Sequence, residues 1–253
     1  MTVIAVLSDP PRAGLVLTEL VEDGPLTRAE AATLYEAMVR DAIDAVHRSG
    51  NMLLVNYRDD ETLPPEHLTE TEPLAEIRAI AADTLGDLSD VRFERQVGST
   101  HAARVGNTIT HLLREEGVQS AAVLDPAAPL VGRTVLDGAA MQLRTNEVVL
   151  GPASRGRIYY AGFTEPIDFT DAFEPPTVQT LTDRAVDAEL HTEFLDVQPL
   201  IERGSDLASV VALLRSRVAA ERIVPAETAA AIYDLGLAVD RTGDGVQLQR
   251  RET

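Results

Sequence analysis

Arg155 and Arg157 stand two residues apart in VVLGPASRGRIYYAGF (148–163), where an apolar run meets a Gly-Pro pair and a turn of small residues. A guanidinium is planar, permanently charged and presents a fork of donors that fits phosphate or carboxylate. The pair therefore reads either as an anion site or as salt bridges to neighbouring acids. Carboxylates are the other groups placed for chemistry. Asp9 follows TVIAVLS, Asp125 follows SAAVL and Asp196 follows TEFL. An acid just beyond an apolar strand is a metal ligand, a proton acceptor or a plain turn former.

Several chemistries are excluded by what is missing. There is no cysteine, so disulfides, thiolate metal sites and cysteine nucleophiles are out. All 22 basic residues are arginine, and a phosphate loop of the Walker type needs lysine. No G-x-G-x-x-G follows the first apolar run, and no G-x-S-x-G occurs. Of the five histidines, His101 and His111 share one predicted helix, but ten residues is about three turns, too far for a common metal.

These residues sit at the ends of a regular series of elements. Apolar strands are predicted at 2–7, 51–57, 91–97, 120–125 and 147–151, then across the Arg-Gly-Arg turn, and again at 192–197. Between them the spacing predicts helices. The first follows the capping box of Thr27 and Glu30 and stops at Gly50; others cover 73–86, 99–117, the stretch VGRTVLDGAAMQL, and 177–189. Strand–helix alternation to about residue 200 predicts a three-layer α/β/α fold around a mostly parallel sheet. In such sheets ligands bind beyond the carboxyl ends of the strands. The candidate loops are then 9–14, Asn56, 96–100, 125–129, 151–157 and Asp196. Helices after residue 204 are extra, and the tail RTGDGVQLQRRET offers at most a hairpin around GDG. The main domain is read as 1–214, with 215–253 as its C-terminal extension.

With 253 residues, 45% hydrophobic and only 4% aromatic, the chain buries a core of Ala, Val, Leu and Ile. Its net charge of −19 repels nucleic acid and anionic membranes, so neither is expected as a partner. No apolar run reaches about 18 residues, so no membrane span is expected. The lysine-free acidic composition resembles proteins of extreme halophiles, in which the Debye length falls to roughly 3 Å and self-repulsion is screened. The expected setting is a salt-adapted cytoplasm.

The order of these loops resembles the nucleotide-diphospho-sugar transferase superfamily, of the glycosyltransferase-A type. The closest likeness is to its small bacterial and archaeal branch related to the molybdopterin and phospholactate guanylyltransferases, over roughly residues 2 to 214. PPRAGLVLTEL keeps Pro11, Gly14, Thr18 and Leu20 of the family's first loop. AEAATLYEAMVRDAI matches its first long helix, GSTHAARVGN places Arg104 at its arginine, and VLDPAAPL places Asp125 at its metal aspartate. VVLGPASRGRIYYAGF resembles its Gly-Pro motif, and FLDVQPLIERGSDLASV its closing Asp-Val motif.

The resemblance implies a nucleotide or nucleotide-sugar ligand. It implies nucleotide contacts from Asp9, Pro11, Arg12, Gly14, Thr18 and Arg104, Mg²⁺ at Asp125 and Asp196, and a catalytic role for Asp125 and Arg155. The departures fall on charged positions: Leu17 and Glu19 stand where the family has lysine and arginine, Arg155-Gly156-Arg157 where it has Asp-Gly-Gly, and Gln198 where it has aspartate. Three readings stay open: a nucleotidyl- or glycosyl-transferase, a non-catalytic nucleotide- or protein-binding relative, and a structural subunit that associates as a homo-oligomer through helices in 205–236.

Overall fold

The computed structural model describes residues 1–242 and 245–251. The apolar runs form seven strands, β1 (Thr2–Ser8), β2 (Met52–Tyr57), β3 (Arg92–Arg95), β4 (Ser120–Leu124), β5 (Val148–Pro152), β6 (Ile158–Phe163) and β7 (Thr192–Phe194). Helices α1 (Thr18–Asp23), α2 (Arg28–Arg48), α3 (Pro73–Leu85), α4 (His101–Thr110), α5 (Arg133–Gln142) and α6 (Thr177–Asp187) alternate with them. Helices α7 (Gly204–Ala219) and α8 (Ala226–Asp234) follow, and a hairpin of β8 (Leu237–Thr242) and β9 (Gly245–Arg250) closes the chain. The expected hairpin is thus present in its strands; its turn residues Gly243 and Asp244 lie outside the described residues.

The sheet order is β3-β2-β1-β4-β6-β5-β7. Pairings β1–β2, β1–β4, β2–β3 and β5–β7 are parallel, whereas β6 runs antiparallel to both β4 and β5. The mostly parallel α/β/α fold class is as expected, with one reversed strand that strand–helix alternation does not reveal. Both faces are covered, which is why β1 is apolar at every inner position. Ile4 and Val6 pack with Leu34, Met38, Ile77 and Leu136 from α2, α3 and α5. Val3 and Ala5 face the other way, into Val105, Ile109 and Leu181 from α4 and α6.

Local signals place the helices. The Thr27 hydroxyl accepts from the Glu30 amide while the Glu30 carboxylate accepts from the Thr27 amide at 2.8 Å, and Gly50 ends α2 at φ +70°. The predicted helix 99–117 is α4 continued by one π-helical turn, His111–Glu115, before Gly117 at φ +67°. α8 lies against α2, where the Asp41 carboxylate accepts from the Glu227 and Thr228 amides at 3.2 and 2.7 Å. The C-terminal helices therefore pack on their own domain. Among the described residues no helix is long and apolar enough to cross a membrane.

Two details fix the loops that matter below. Gly151 lies inside β5, not in a turn: a Cβ there would come within 2.6 Å of the Tyr159 ring. The ring lies flat against the glycine so that the Tyr159 hydroxyl donates to the Asp196 carbonyl at 3.0 Å. Arg12 is also structural. It is 9% exposed, its Nη1 and Nη2 donate to the carbonyls of His67 and Thr71 at 2.6 and 2.8 Å, and its Nη2 meets Glu76 at 2.7 Å. One guanidinium thus ties the proline-broken loop 58–72 and helix α3 to the loop after β1.

Replacing Gly151→Ala is expected to lower stability by about 1–3 kcal/mol through overpacking, and Tyr159→Ala in the same chain should relieve part of that loss. Removing the guanidinium with Arg12→Ala leaves Glu76 and two carbonyls without their partner, an expected cost of about 3 kcal/mol. Denaturant unfolding checks both, and Arg12→Lys should rescue only partly because it cannot reach all three acceptors.

Candidate functional site

Because six strands share one direction, the loops leaving β1, β2, β3, β4, β5 and β7 emerge along one rim of the sheet. They enclose a cleft of about 310 Å³ lined by Asp9, Thr18, Glu19, Tyr35, Gln96, His101, Arg104, Asp125 and Glu202. Its apolar wall is Leu7, Leu15, Val16, Leu17, Ala127 and Ile201. A smaller cavity of about 150 Å³ adjoins it through Leu7, His101, Asp125 and Glu202 and adds Arg157, Tyr159 and Phe173.

Arg104 is held from behind by a buried polar chain. Its Nε donates to the Gln96 side-chain oxygen at 2.9 Å, and the Gln96 amide donates to the Asn56 carbonyl at 2.8 Å. Asn56 in turn accepts from the Thr108 hydroxyl at 3.2 Å and donates to the Glu94 carbonyl. Asn56, Gln96 and Thr108 are 1%, 4% and 8% exposed, so each bond is one that burial demands. The terminal amino groups of Arg104 make no hydrogen bond or ion pair among the described residues and open on the cleft. Burial first, then the charge of Arg58, pulls the Arg104 pKa down from the arginine range, with Asp9 acting against that shift.

The acids across the cleft are not equivalent. The Asp9 amide donates to the buried Tyr35 hydroxyl at 3.1 Å, and Arg58 Nη1 donates to the Asp9 carboxylate at 3.3 Å. Burial raises the Asp9 pKa, while Arg58 and Arg104 oppose the rise. Asp125 accepts from the Ala127 amide at 2.8 Å and has no cationic partner within ion-pair distance among the described residues. Burial, then the charges of Glu202 and Asp9, pushes its carboxyl up to about 6. Part of the His101 residue reaches solvent, yet the protein mass around its ring, followed by Arg104 and Arg58, holds its pKa down to about 4. It also packs edge-on to Phe173 at 4.9 Å.

Of the residues expected at the site, Asp9, Thr18, Arg104 and Asp125 line this cleft. Pro11, Arg12 and Gly14 do not; Arg12 is engaged as described, and Gly14 serves its turn at φ +84°. Arg155 is turned away as well. It sits at φ +61° and bonds Asp206 at 2.9 Å, near the start of α7. Arg157 joins the same acid at 3.2 Å and lies 2.6 Å from Glu202, an ion pair without an aligned hydrogen bond. The salt-bridge reading of this turn is the one the geometry supports, and the catalytic role expected of Arg155 has no cleft to act in. Asp196 is exposed and lines neither cavity; its carbonyl, not its carboxylate, is what the fold uses.

Mg²⁺ takes near-ideal octahedral geometry and is bound through one or two carboxylates beside phosphates. With Asp196 elsewhere, Asp9 facing Arg58, Glu19 facing Arg203 and Glu202 facing Arg157, Asp125 is the one uncommitted carboxylate lining the cleft among the described residues, and the residues present fit the ion poorly. Away from the rim, Glu94, His111 and Glu116 bring ligand atoms within 4.8 Å of one another. Arg92 already bridges both glutamates there, at 2.6 Å from Glu116.

Tyr35, Arg58, His101 and Glu202 were not expected at the site. Tyr35 falls on the apolar face of a helix and reads as core, and nothing local marks Arg58 or Glu202 as facing the β1 loop. A carboxyl whose folded pKa lies above its usual value binds extra protons in the folded state. Its contribution is therefore favourable near pH 4 and lost as pH rises through about 6. Asp125→Asn should consequently raise stability at pH 8, by about 1–3 kcal/mol, and the gain should vanish near pH 4. Melting temperatures of both proteins across that range check the sign.

No family model matches the sequence, and no curated protein matches it. Solved structures do. A candidate nucleotide-diphospho-sugar transferase of Desulfovibrio desulfuricans G20 superposes with a TM-score of 0.70 at 19% identity, covering 92% of this chain and 97% of that one. A cytidylyltransferase of Leptospira borgpetersenii serovar Hardjo-bovis superposes with a TM-score of 0.50 at 10% identity, covering 92% and 94%. With its 3-2-1-4-6-5-7 sheet and one reversed strand, the chain has the fold of the nucleotide-diphospho-sugar and nucleotidyl transferases.

Proposed function

We propose that this protein binds a nucleotide or nucleotide-sugar in the rim cleft and does not carry out metal-dependent nucleotidyl transfer. The observation that carries the reading is the Arg104 guanidinium, fixed through its Nε by Gln96, without an ion-pair partner among the described residues and facing the same cleft as Asp125. A rigid fork with free donors recognises phosphate, and the apolar wall suits a base or sugar ring. Nucleotidyl transfer needs cations where negative charge concentrates. At this rim Arg58, Arg157 and Arg203 are engaged with Asp9, Glu202 and Glu19.

A second reading, sugar transfer without a metal, is favoured by one observation. Asp125, pushed up to about 6 and lacking a cationic partner, is tuned to take a proton from an acceptor hydroxyl.

Uridine or guanine nucleotides in molar salt are expected to raise the melting temperature in proportion to RT ln(1 + [L]/Kd), with no release of pyrophosphate when Mg²⁺ and a triphosphate are present. Absence of any shift across the nucleotide panel would remove the binding proposal. Sugar release from a nucleotide-sugar that is abolished by Asp125→Asn would establish the second reading in its place.

A further inference from the structure

We propose that the cleft selects ligands with a single phosphate, in chemical class a nucleoside monophosphate or a sugar phosphate, over di- and triphosphates. This rests on the reading of the rim cleft as a nucleotide site and adds to it a choice among nucleotides.

The inventory of free donors leads to the proposal. Four carboxylates line the two joined cavities: Asp9, Glu19, Asp125 and Glu202. Three of them face arginines, Asp9 with Arg58 at 3.3 Å, Glu19 with Arg203 at 2.7 Å and Glu202 with Arg157 at 2.6 Å. Two of those arginines have further obligations. Arg58 also donates to the Thr62 carbonyl, and Arg157 to the Ser154 carbonyl at 2.9 Å and to Asp206 at 3.2 Å. Drawing Arg58 or Arg157 onto a ligand would leave Asp9 or Glu202 uncompensated in a partly desolvated cleft; Arg203 and Glu19 form a half-exposed pair, and Arg203 lines neither cavity.

Arg104 is the exception. Its Nε is satisfied by Gln96, and its terminal amino groups are free among the described residues. One guanidinium fork holds one phosphate. A second and third phosphate would lie among Asp9, Glu19, Asp125 and Glu202 with no further uncommitted cation lining the cleft among the described residues, and the sequence contains no lysine to reach over it. Asp125, bonded only to the Ala127 amide, is free to accept from a hydroxyl or amino group of the same ligand. Leu7, Leu15, Leu17 and Ile201 face its ring.

Calorimetric titration of the full chain in molar KCl tests this, using the nucleosides, monophosphates and triphosphates of uridine and guanosine, with and without Mg²⁺. Glucose 1-phosphate and glucose 1,6-bisphosphate serve as base-free probes. A monophosphate is expected to bind about tenfold or more tighter than its triphosphate, with the order unchanged by Mg²⁺. Arg104→Gln should erase the advantage of the monophosphate over the nucleoside, and Arg104→Lys should keep part of it; melting temperatures verify that both variants fold. A triphosphate that binds as tightly as the monophosphate overturns the selection and leaves the nucleotide reading standing. Arg104-dependent binding of glucose 1-phosphate over the bisphosphate, with no nucleotide bound, overturns the nucleotide reading and supports the selection. Silence from every probe overturns both.

Discussion

The Gln96 carboxamide makes two bonds on which the site depends: its nitrogen donates to the Asn56 carbonyl on β2, and its oxygen receives Arg104 Nε from α4. Gln96 is 4% exposed and Asn56 1%, so neither can exchange its partner for water without leaving a buried polar group unsatisfied. The result is a guanidinium whose plane is set before any ligand arrives. An exposed arginine would lose rotamer freedom on binding; this one has already lost it on folding. The strand order makes the arrangement possible, because the residues after β2 and β3 meet α4 at the same rim that receives the loop after β1.

Around that fixed cation the rim is organised by mutual neutralisation. Glu19 on α1 pairs with Arg203 at the entry to α7, and the Asp23 carboxylate accepts from the Gly204 amide at 2.7 Å. These two contacts join the first rim loop to the last across the cleft. Arg157 and Arg155 converge on Asp206, which also accepts from the Glu202 and Arg203 amides. Cationic side chains that could otherwise meet a polyphosphate are thereby used to close the scaffold. Leu17 adds to this: it takes φ +50° with an apolar side chain on the cleft wall, a conformation that costs roughly 1–3 kcal/mol for a residue other than glycine.

Much of the fold was legible because both faces of the sheet are covered, leaving apolar runs such as TVIAVL and SAAVL that only a buried strand accommodates. Helix ends were legible where the chemistry is local, as in the Thr27–Glu30 box and the left-handed Gly50, Gly86 and Gly117. The reversal of β6 does not follow from strand–helix alternation, but it does follow from the short Arg-Gly-Arg turn, since five residues leave no room for the crossover a parallel pair needs. At the site, Asp9, Thr18, Arg104 and Asp125 could be picked out by their place after strands or in a familiar motif order. Arg12, Arg155 and Asp196 misled for a common reason. Position on a rim loop does not say which way a side chain turns, and partners such as Glu76 and Asp206 lie 64 and 51 residues away.

The same geometry explains why chemistry here can change while the fold persists. The core residues on β1 and β4 are buried and alternate between two apolar layers, whereas Asp9, Gln96 and Asp125 sit one position beyond strand ends and Arg104 projects from the first turn of α4. Changing an exposed rim charge removes no core contact, and surface substitutions of this kind usually alter stability by less than about 0.5 kcal/mol. Two titrating groups even offset one another. Asp125 favours the folded state as pH falls through about 6, and His101, held near 4, disfavours it as pH falls below the ordinary imidazole range. The cleft therefore carries perturbed groups of both kinds, the raised Asp9 and Asp125 carboxyls against the lowered His101 imidazole, and their titration acts at the rim and not in the sheet.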